Sequence, residues 1–191
     1  MKIALSGKMG SGKTTLAEEL VKDYDFKRVS FANGVKDTAM NVFGMTYEQA
    51  YGAQKNRELL QKIGQKCREI EPNVWVNMTR RQIMDYDAQG YDIVVDDMRF
   101  KNEFDILRDL GFIMVRIDAS PEVRRKRIPN TFAGENEISE TDLDSIVESC
   151  SKGDTPREWN NIILNQGSKE NFLKYGKLIY THYKERDKLY I

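Results

Sequence analysis

A chain of 191 residues is long enough to bury a substantial core as one domain, without metal or disulfide staples. Its 30 Lys and Arg balance 30 Asp and Glu, so no global positive field exists to hold a duplex or an anionic bilayer, although a local basic cluster can serve a small anion. Cys67 and Cys150 lie outside any CxxC spacing and no apolar run reaches membrane-span or signal-core length, so the expectation is a soluble, cytoplasmic protein with reduced thiols.

Lys2 to Ser6 reads as a short strand feeding a glycine-rich turn. From Lys13 onward, Leu16, Ala17, Leu20 and Val21 recur at helical spacing, and the pattern fades by Tyr24. Phe26 to Phe31 alternates weakly as a second strand, and a mostly helical stretch follows to about Gln89. Within it, Leu59, Ile63, Cys67 and Ile70 form one predicted packing stripe. Pro72 suits the first turn of a helix on which Trp75, Val76, Thr79, Ile83 and Tyr86 share a face.

Gly90 closes that region. Tyr91 to Asp97 is a third strand ending in two acids, and Ile106, Leu107 and Leu110 mark a helix stopped by Gly111. Phe112 to Ile117 and Asn160 to Asn165 supply two more strands, and Phe172 to Tyr183 a final helix. Short buried strands alternating with helices predict a three-layer α/β fold on a parallel sheet, in a single domain without repeats or linkers.

Gly7-Lys8-Met9-Gly10-Ser11-Gly12-Lys13-Thr14 matches G-x-x-x-x-G-K-[ST] in full, between the predicted strand and helix that such a loop requires. Average residue usage produces this pattern by chance in roughly one chain in a hundred of this length. Glycines let backbone N–H groups turn inward around an anion, and the helix N-terminus adds its positive dipole end. Lys13 is placed to reach β- and γ-phosphates and Thr14 to ligate Mg²⁺, so the expected ligand is a nucleoside triphosphate. The chain has no N-K-x-D for guanine, and its D-x-x-G at Asp87 precedes a strand instead of following one, which argues against a GTP switch. Motor and helicase ATPases usually need longer chains, leaving small-molecule kinases as the best use of this length.

Asp96-Asp97-Met98-Arg99-Phe100 falls where the third strand emerges, so its acids are expected on the rim that carries the P-loop and its Mg²⁺. Arg57, Arg99 and the run Arg124-Arg125-Lys126-Arg127 supply cations for bringing two polyanions together. A phosphate acceptor, with a second pKa near 6, needs no strong base. A hydroxyl acceptor would instead use Asp96 or Asp97 as a base. His182, Trp75 and Trp159 read as packing or surface residues.

The P-loop is followed in order by SFANGVKDTA (30–39), NRELLQKIGQKCREIEPNVWV (56–76), VVDDMRFKNEFDILRDLGFIMVRI (94–117), ISETDLD (138–144) and NNIILNQGS (160–168). Across nearly its whole length the chain resembles the phage-type deoxynucleoside monophosphate kinases, within the P-loop nucleotide kinases. That resemblance implies a three-layer P-loop NTPase fold with a five-stranded parallel sheet of order 2-3-1-4-5. It also implies a helical monophosphate-binding insertion at about 32–90 and a small lid at about 121–145. ATP with Mg²⁺ would be the donor and a (deoxy)nucleoside 5′-monophosphate the acceptor, converted to the diphosphate.

By the same resemblance, Gly7, Gly10, Ser11, Gly12, Lys13, Thr14 and Thr15 bind the donor phosphates, and Asn165 and Gly167 contact the donor base. Phe31, Lys36, Arg57 and Arg99 bind the acceptor; Lys13, Asp97, Arg99 and the lid residues Arg124 and Arg127 serve catalysis. Thr14 and Asp97 hold Mg²⁺, directly or through water. Asp96 adds an acid where a small residue is common, and Glu137 stands where many members have His, which leaves the Ser139-Glu140 region without an assigned role. No nucleic-acid or membrane partner is implied, a homodimer is allowed, and a phage-encoded copy would work in the host cytoplasm. The rival readings are another small-molecule P-loop kinase, such as a dephospho-coenzyme A or phosphomevalonate kinase, and an ATP-responsive binding module without transfer activity.

Overall fold

The structure, a computed structural model, describes residues 1–128, Leu143 and residues 159–188. The central strand β1 (Lys2–Ser6) is buried along its length after the first residue, as a strand covered on both faces must be. The helix α1 (Lys13–Tyr24) follows the glycine-rich loop, and β2 (Lys27–Val29) follows α1. The second strand is shorter than its alternation predicts because the backbone N–H groups of Phe31 and Ala32 turn to the Asp97 carboxylate, starting α2 (Phe31–Phe43).

Two more helices, α3 (Tyr47–Tyr51) and α4 (Arg57–Ile70), complete a helical region beside the sheet. Asn56 caps α4 by accepting from the Leu59 N–H at 3.1 Å. The next helix, α5 (Val74–Ala88), starts two residues beyond Pro72, and it buries Trp75, Val76, Thr79 and Ile83 as predicted. The predicted α4 stripe is displaced. Leu60, Ile63 and Gly64 are buried, Leu59 and Cys67 sit at the edge, and Ile70 is 86 % exposed. The cause is the direction of approach: the Trp75 indole donates to the Gly64 carbonyl at 3.0 Å, drawing that side of α4 inward and leaving its last residue in solvent.

The remaining elements are β3 (Ile93–Val95), α6 (Lys101–Asp109), β4 (Ile113–Asp118), α7 (Pro121–Arg127), β5 (Asn161–Leu164) and α8 (Lys169–Lys188). All strands are parallel, and the five-stranded sheet has the order 2-3-1-4-5, as expected. Strand alternation sends Ala4, Ile93, Val95 and Met114 into one core with Val76 and Ile83 of α5 and Phe104 and Leu107 of α6. Ile3, Leu5, Val94, Val115 and Ile117 enter the opposite core with Leu16 and Leu20 of α1 and Phe172 of α8. The helical region has a third cluster built on Val35, Ala39, Ala50, Leu60, Ile63 and Trp75. Among the described residues no helix is long and apolar enough to cross a membrane.

Phe104 tests this packing most simply, being fully buried with its ring edge-to-face with Trp159 at a centroid distance of 5.0 Å. Replacing it with Ala should cost about 3–5 kcal/mol in urea-induced unfolding, through lost transfer energy and a residual cavity. An unchanged midpoint would contradict the packing.

Candidate active site

The loop between β1 and α1 is shaped by close approach. Gly10 and Gly12 hold left-handed backbone, with φ of 78° and 113°. A Cβ at Gly12 would lie 2.7 Å from the Asn165 side-chain nitrogen, and one at Gly7 would lie 2.2 Å from the Ile117 carbonyl oxygen. The result is a backbone cradle at the N-terminus of α1, whose first turn carries no acid, and this arrangement favours an anion. Lys13 folds over the loop, its ammonium donating to the carbonyls of Gly7 and Lys8. The Ser11 hydroxyl is buried beneath it with no hydrogen-bond partner among the described residues.

The ends of β4 and β5 complete the cradle. Asn165 donates to the Ser11 carbonyl at 2.8 Å, and Arg127 donates to Asn165 Oδ1 at 3.3 Å and to the Gly167 carbonyl at 3.2 Å. Thr14, Thr15, Arg127, Asn165 and Gly167 therefore border one cleft. Arg124 does not border it. Arg124 is buried, donating to the backbone carbonyls of Ala119 and Met9, so it supports the P-loop from behind. Residues 129–142, including the Ser139-Glu140 pair, lie outside the described residues.

The two acids after β3 take different directions, as consecutive residues of extended chain do. Asp96 is 3 % exposed and accepts two bonds from Arg28, at 2.9 and 2.7 Å, and one from the Thr14 hydroxyl at 3.3 Å. Asp97 accepts from the Ser30 hydroxyl at 2.6 Å and from the backbone N–H groups of Phe31 and Ala32 at 3.1 and 2.9 Å, which caps α2. The acid beside Thr14 is thus Asp96, whereas the resemblance gives the Mg²⁺ carboxylate to Asp97 and the residues alone leave both open. Among the described residues no group of three or more His, Cys, Asp or Glu gathers for a metal. Thr14 with one carboxylate fits Mg²⁺, which is commonly held by one or two carboxylates with phosphate oxygens and water.

The cleft continues from the P-loop to α2 and α4 and measures about 1680 Å³. Typical sites for one small ligand span about 300–1,000 Å³, so there is room for a donor and an acceptor together. Its far part carries Lys36, Lys55, Arg57 and Arg99, with Phe31 at the base of α2. The Lys55 ammonium is held below its ordinary pKa of 10.5, first by burial and then by the charges of Lys36, Arg57 and Arg99. Burial also lowers Lys36, which lies 4.2 Å from the centre of the Tyr51 ring. Four cations crowded at this range favour a bound anion. Lys55 has no sequence signal, because it precedes the α4 cap in a polar turn without helical spacing. Gln61, Gln65 and Arg68 extend the wall along α4.

Glu103 at the start of α6 also borders the cleft but is 2 % exposed. Its carboxyl group is pushed up from 4.5 to about 7 by burial and then by the Asp97 charge, against the opposing pull of the Arg99 and Phe100 N–H groups and of Arg68.

A glycine cradle opening the helix after a central parallel strand, with an acid at the end of the neighbouring strand, is a P-loop NTPase-like architecture. The family model described as an AAA domain matches residues 3–148, and the chain belongs to that family. A protein of Acanthamoeba polyphaga mimivirus described as "Putative deoxynucleotide monophosphate kinase" is 26 % identical over 202 residues, covering 93 % of each chain. The dephospho-CoA kinase from Campylobacter jejuni is 18 % identical with a TM-score of 0.55, covering 98 % of this chain and 100 % of that one. Shikimate kinase from Acinetobacter baumannii is 14 % identical with a TM-score of 0.53, covering 97 % and 93 %. The two solved structures share the fold.

Glu103 gives the site a pH signature. With its pKa raised on folding, the group favours the folded state fully below about 4.5, and that contribution is lost as pH rises through about 7. Glu103→Gln, which does not titrate, should therefore gain stability relative to wild type across pH 4.5–7, by at most roughly 3 kcal/mol, and level off above. Denaturation at a series of pH values measures this; a constant difference would contradict the assignment.

Proposed function

We propose that the protein transfers the γ-phosphoryl group of ATP, in line, to the phosphate of a (deoxy)nucleoside 5′-monophosphate. The observation that carries this reading is the cluster of Lys36, Lys55, Arg57 and Arg99 on the cleft that also contains the P-loop. Such a cluster suits an acceptor that is itself a polyanion, which must approach a second polyanion without repulsion. The full-length likeness to the mimivirus protein supports the same class of acceptor.

In this reading Gly10, Gly12, Lys13, Thr14 and Thr15 hold the donor phosphates, and Asn165 and Gly167 border the donor base. Thr14 and Asp96 would hold Mg²⁺, with Asp97 close by; the ion supplies charge neutralisation on the phosphates when bound. Lys13, Arg99 and Arg127 stabilise the transferring group, while Arg124 keeps the loop in shape. Residues 32–90 form the acceptor side; most of the expected lid, from residue 129 on, lies outside the described residues. No strong base is required, because the acceptor phosphate is largely dianionic at neutral pH.

A second reading has its own observation. Asp97 also borders the cleft near Lys36, where it could take a proton from a hydroxyl acceptor. The fold is shared with a dephospho-CoA kinase and a shikimate kinase, which supports the wider class of small-molecule kinases more directly than it supports a nucleoside monophosphate as acceptor. Both readings require phosphoryl transfer, unlike a binding module without activity.

ADP release measured across nucleoside monophosphates, dephospho-coenzyme A, phosphomevalonate and shikimate separates them. The expected outcome is release that depends on a nucleoside monophosphate; a flat response would sink every kinase reading. Lys13→Ala should lower turnover by about 10²–10³-fold while remaining folded. Arg57→Ala should raise the acceptor KM with little change in that for ATP. An Asp97→Asn loss far exceeding that of Arg99→Ala would instead favour the hydroxyl acceptor.

A further inference from the structure

Glu103 is a buried polar group on the cleft that the reaction above leaves without a role. A Glu at the third position of a helix commonly reaches back to the N–H of the capping residue, on the protein surface. This one is buried and reaches one residue further. One carboxylate oxygen accepts from the backbone N–H of Arg99 at 2.7 Å and of Phe100 at 3.1 Å. The other lies 3.8 Å from the Arg68 guanidinium of α4. Arg68 in turn sits over the Phe100 ring at 4.4 Å and donates to the Gly64 carbonyl at 3.2 Å.

A buried carboxylate is costly unless its bonds are needed, and an apolar side chain would fill this volume more cheaply. What its bonds fix is the backbone of Arg99, the residue through which the segment after β3 enters the cleft, and the attachment of that segment to α4. We infer that Glu103 is a positioning residue: its carboxylate fixes the backbone from which Arg99 reaches the transferring or acceptor phosphate, and Arg68 braces the same segment through Phe100. The inference rests on the reading of Arg99 as a phosphate ligand.

A double-mutant cycle of Glu103→Ala with Arg99→Ala tests it, reading turnover with saturating ATP and an equimolar mixture of dAMP, dCMP, dGMP and dTMP. Glu103→Ala should lower turnover by about 10–100-fold with Arg99 present, leaving the KM for ATP within about threefold. Once Arg99 is already Ala, the same change should cost less than about threefold, because the two residues act through one contact. Glu103→Gln, which keeps an acceptor oxygen for both N–H groups, should stay within about threefold of wild type. Equal losses in both backgrounds, or a Gln variant as impaired as the Ala variant, would overturn the inference and leave the kinase reading standing. Arg99→Ala with wild-type turnover would remove the reading of Arg99, and the inference with it. Should Glu103→Ala fail to fold by circular dichroism, Glu103→Met, similar in length and without an acceptor, replaces it under the same criteria.

Discussion

The parallel register of three strands sets the geometry on which the cleft depends. Ala4 of β1 pairs with Val95 of β3, and Ser6 with Arg116 of β4, so these strands end on one rim. The residue after Ser6 begins the P-loop, and the residue after Val95 is Asp96. Neighbouring strands lie about 4.8 Å apart, which is why Thr14 at the start of α1 can meet a carboxylate from β3. A slip of one residue in β3 would turn Asp96 away and point its neighbour at α1. The Arg28 fork then ties β2 to the same carboxylate, so two strands and one helix meet at a single ionic centre.

Charge is organised locally on this frame. The chain is neutral overall, yet cations dominate the cleft, from Lys13 at the P-loop to Lys36, Lys55 and Arg57 at the far side. The acids that approach them are largely committed: Asp96 to Arg28 and Thr14, Asp97 to the start of α2, Glu103 to the start of α6. Carboxylates thus build the walls by holding backbone and side-chain donors, and the cations face the space. Asp97 links the two tasks, because the turn it caps is the one that sends α2 and Lys36 along the acceptor side.

Much of this could be read from residues close together in the chain. The glycine spacing of residues 7–14 identifies the cradle because the whole motif is local, and the strands announce themselves as short apolar runs. The sheet order came through resemblance, since spacing alone does not say which strands are neighbours. What stayed hidden depends on direction and distance. Whether Asp96 or Asp97 faces Thr14 is decided by the pleat at the end of β3, a matter of one residue. Arg124 sits in a basic run that the resemblance gives to catalysis in the lid, but α7 turns it to the backbone carbonyls of Ala119 and Met9. Lys55 acquires its meaning only where α2, α4 and the segment after β3 converge. Glu103 looks like an ordinary helix-start acid until folding buries it. The α4 stripe was misaligned for the same reason, because the approach of Trp75 selects the inner face.

The central claim is that one cleft holds two phosphorylated ligands through a shared set of cations. Its most direct test is calorimetric binding of a bisubstrate compound, two nucleosides joined by five phosphates, compared with ATP alone. The account predicts binding at least about tenfold tighter than ATP, weakened by added salt and reduced to the ATP level by Arg57→Ala. A bisubstrate compound that binds no more tightly than ATP, or that is indifferent to Arg57, would contradict it.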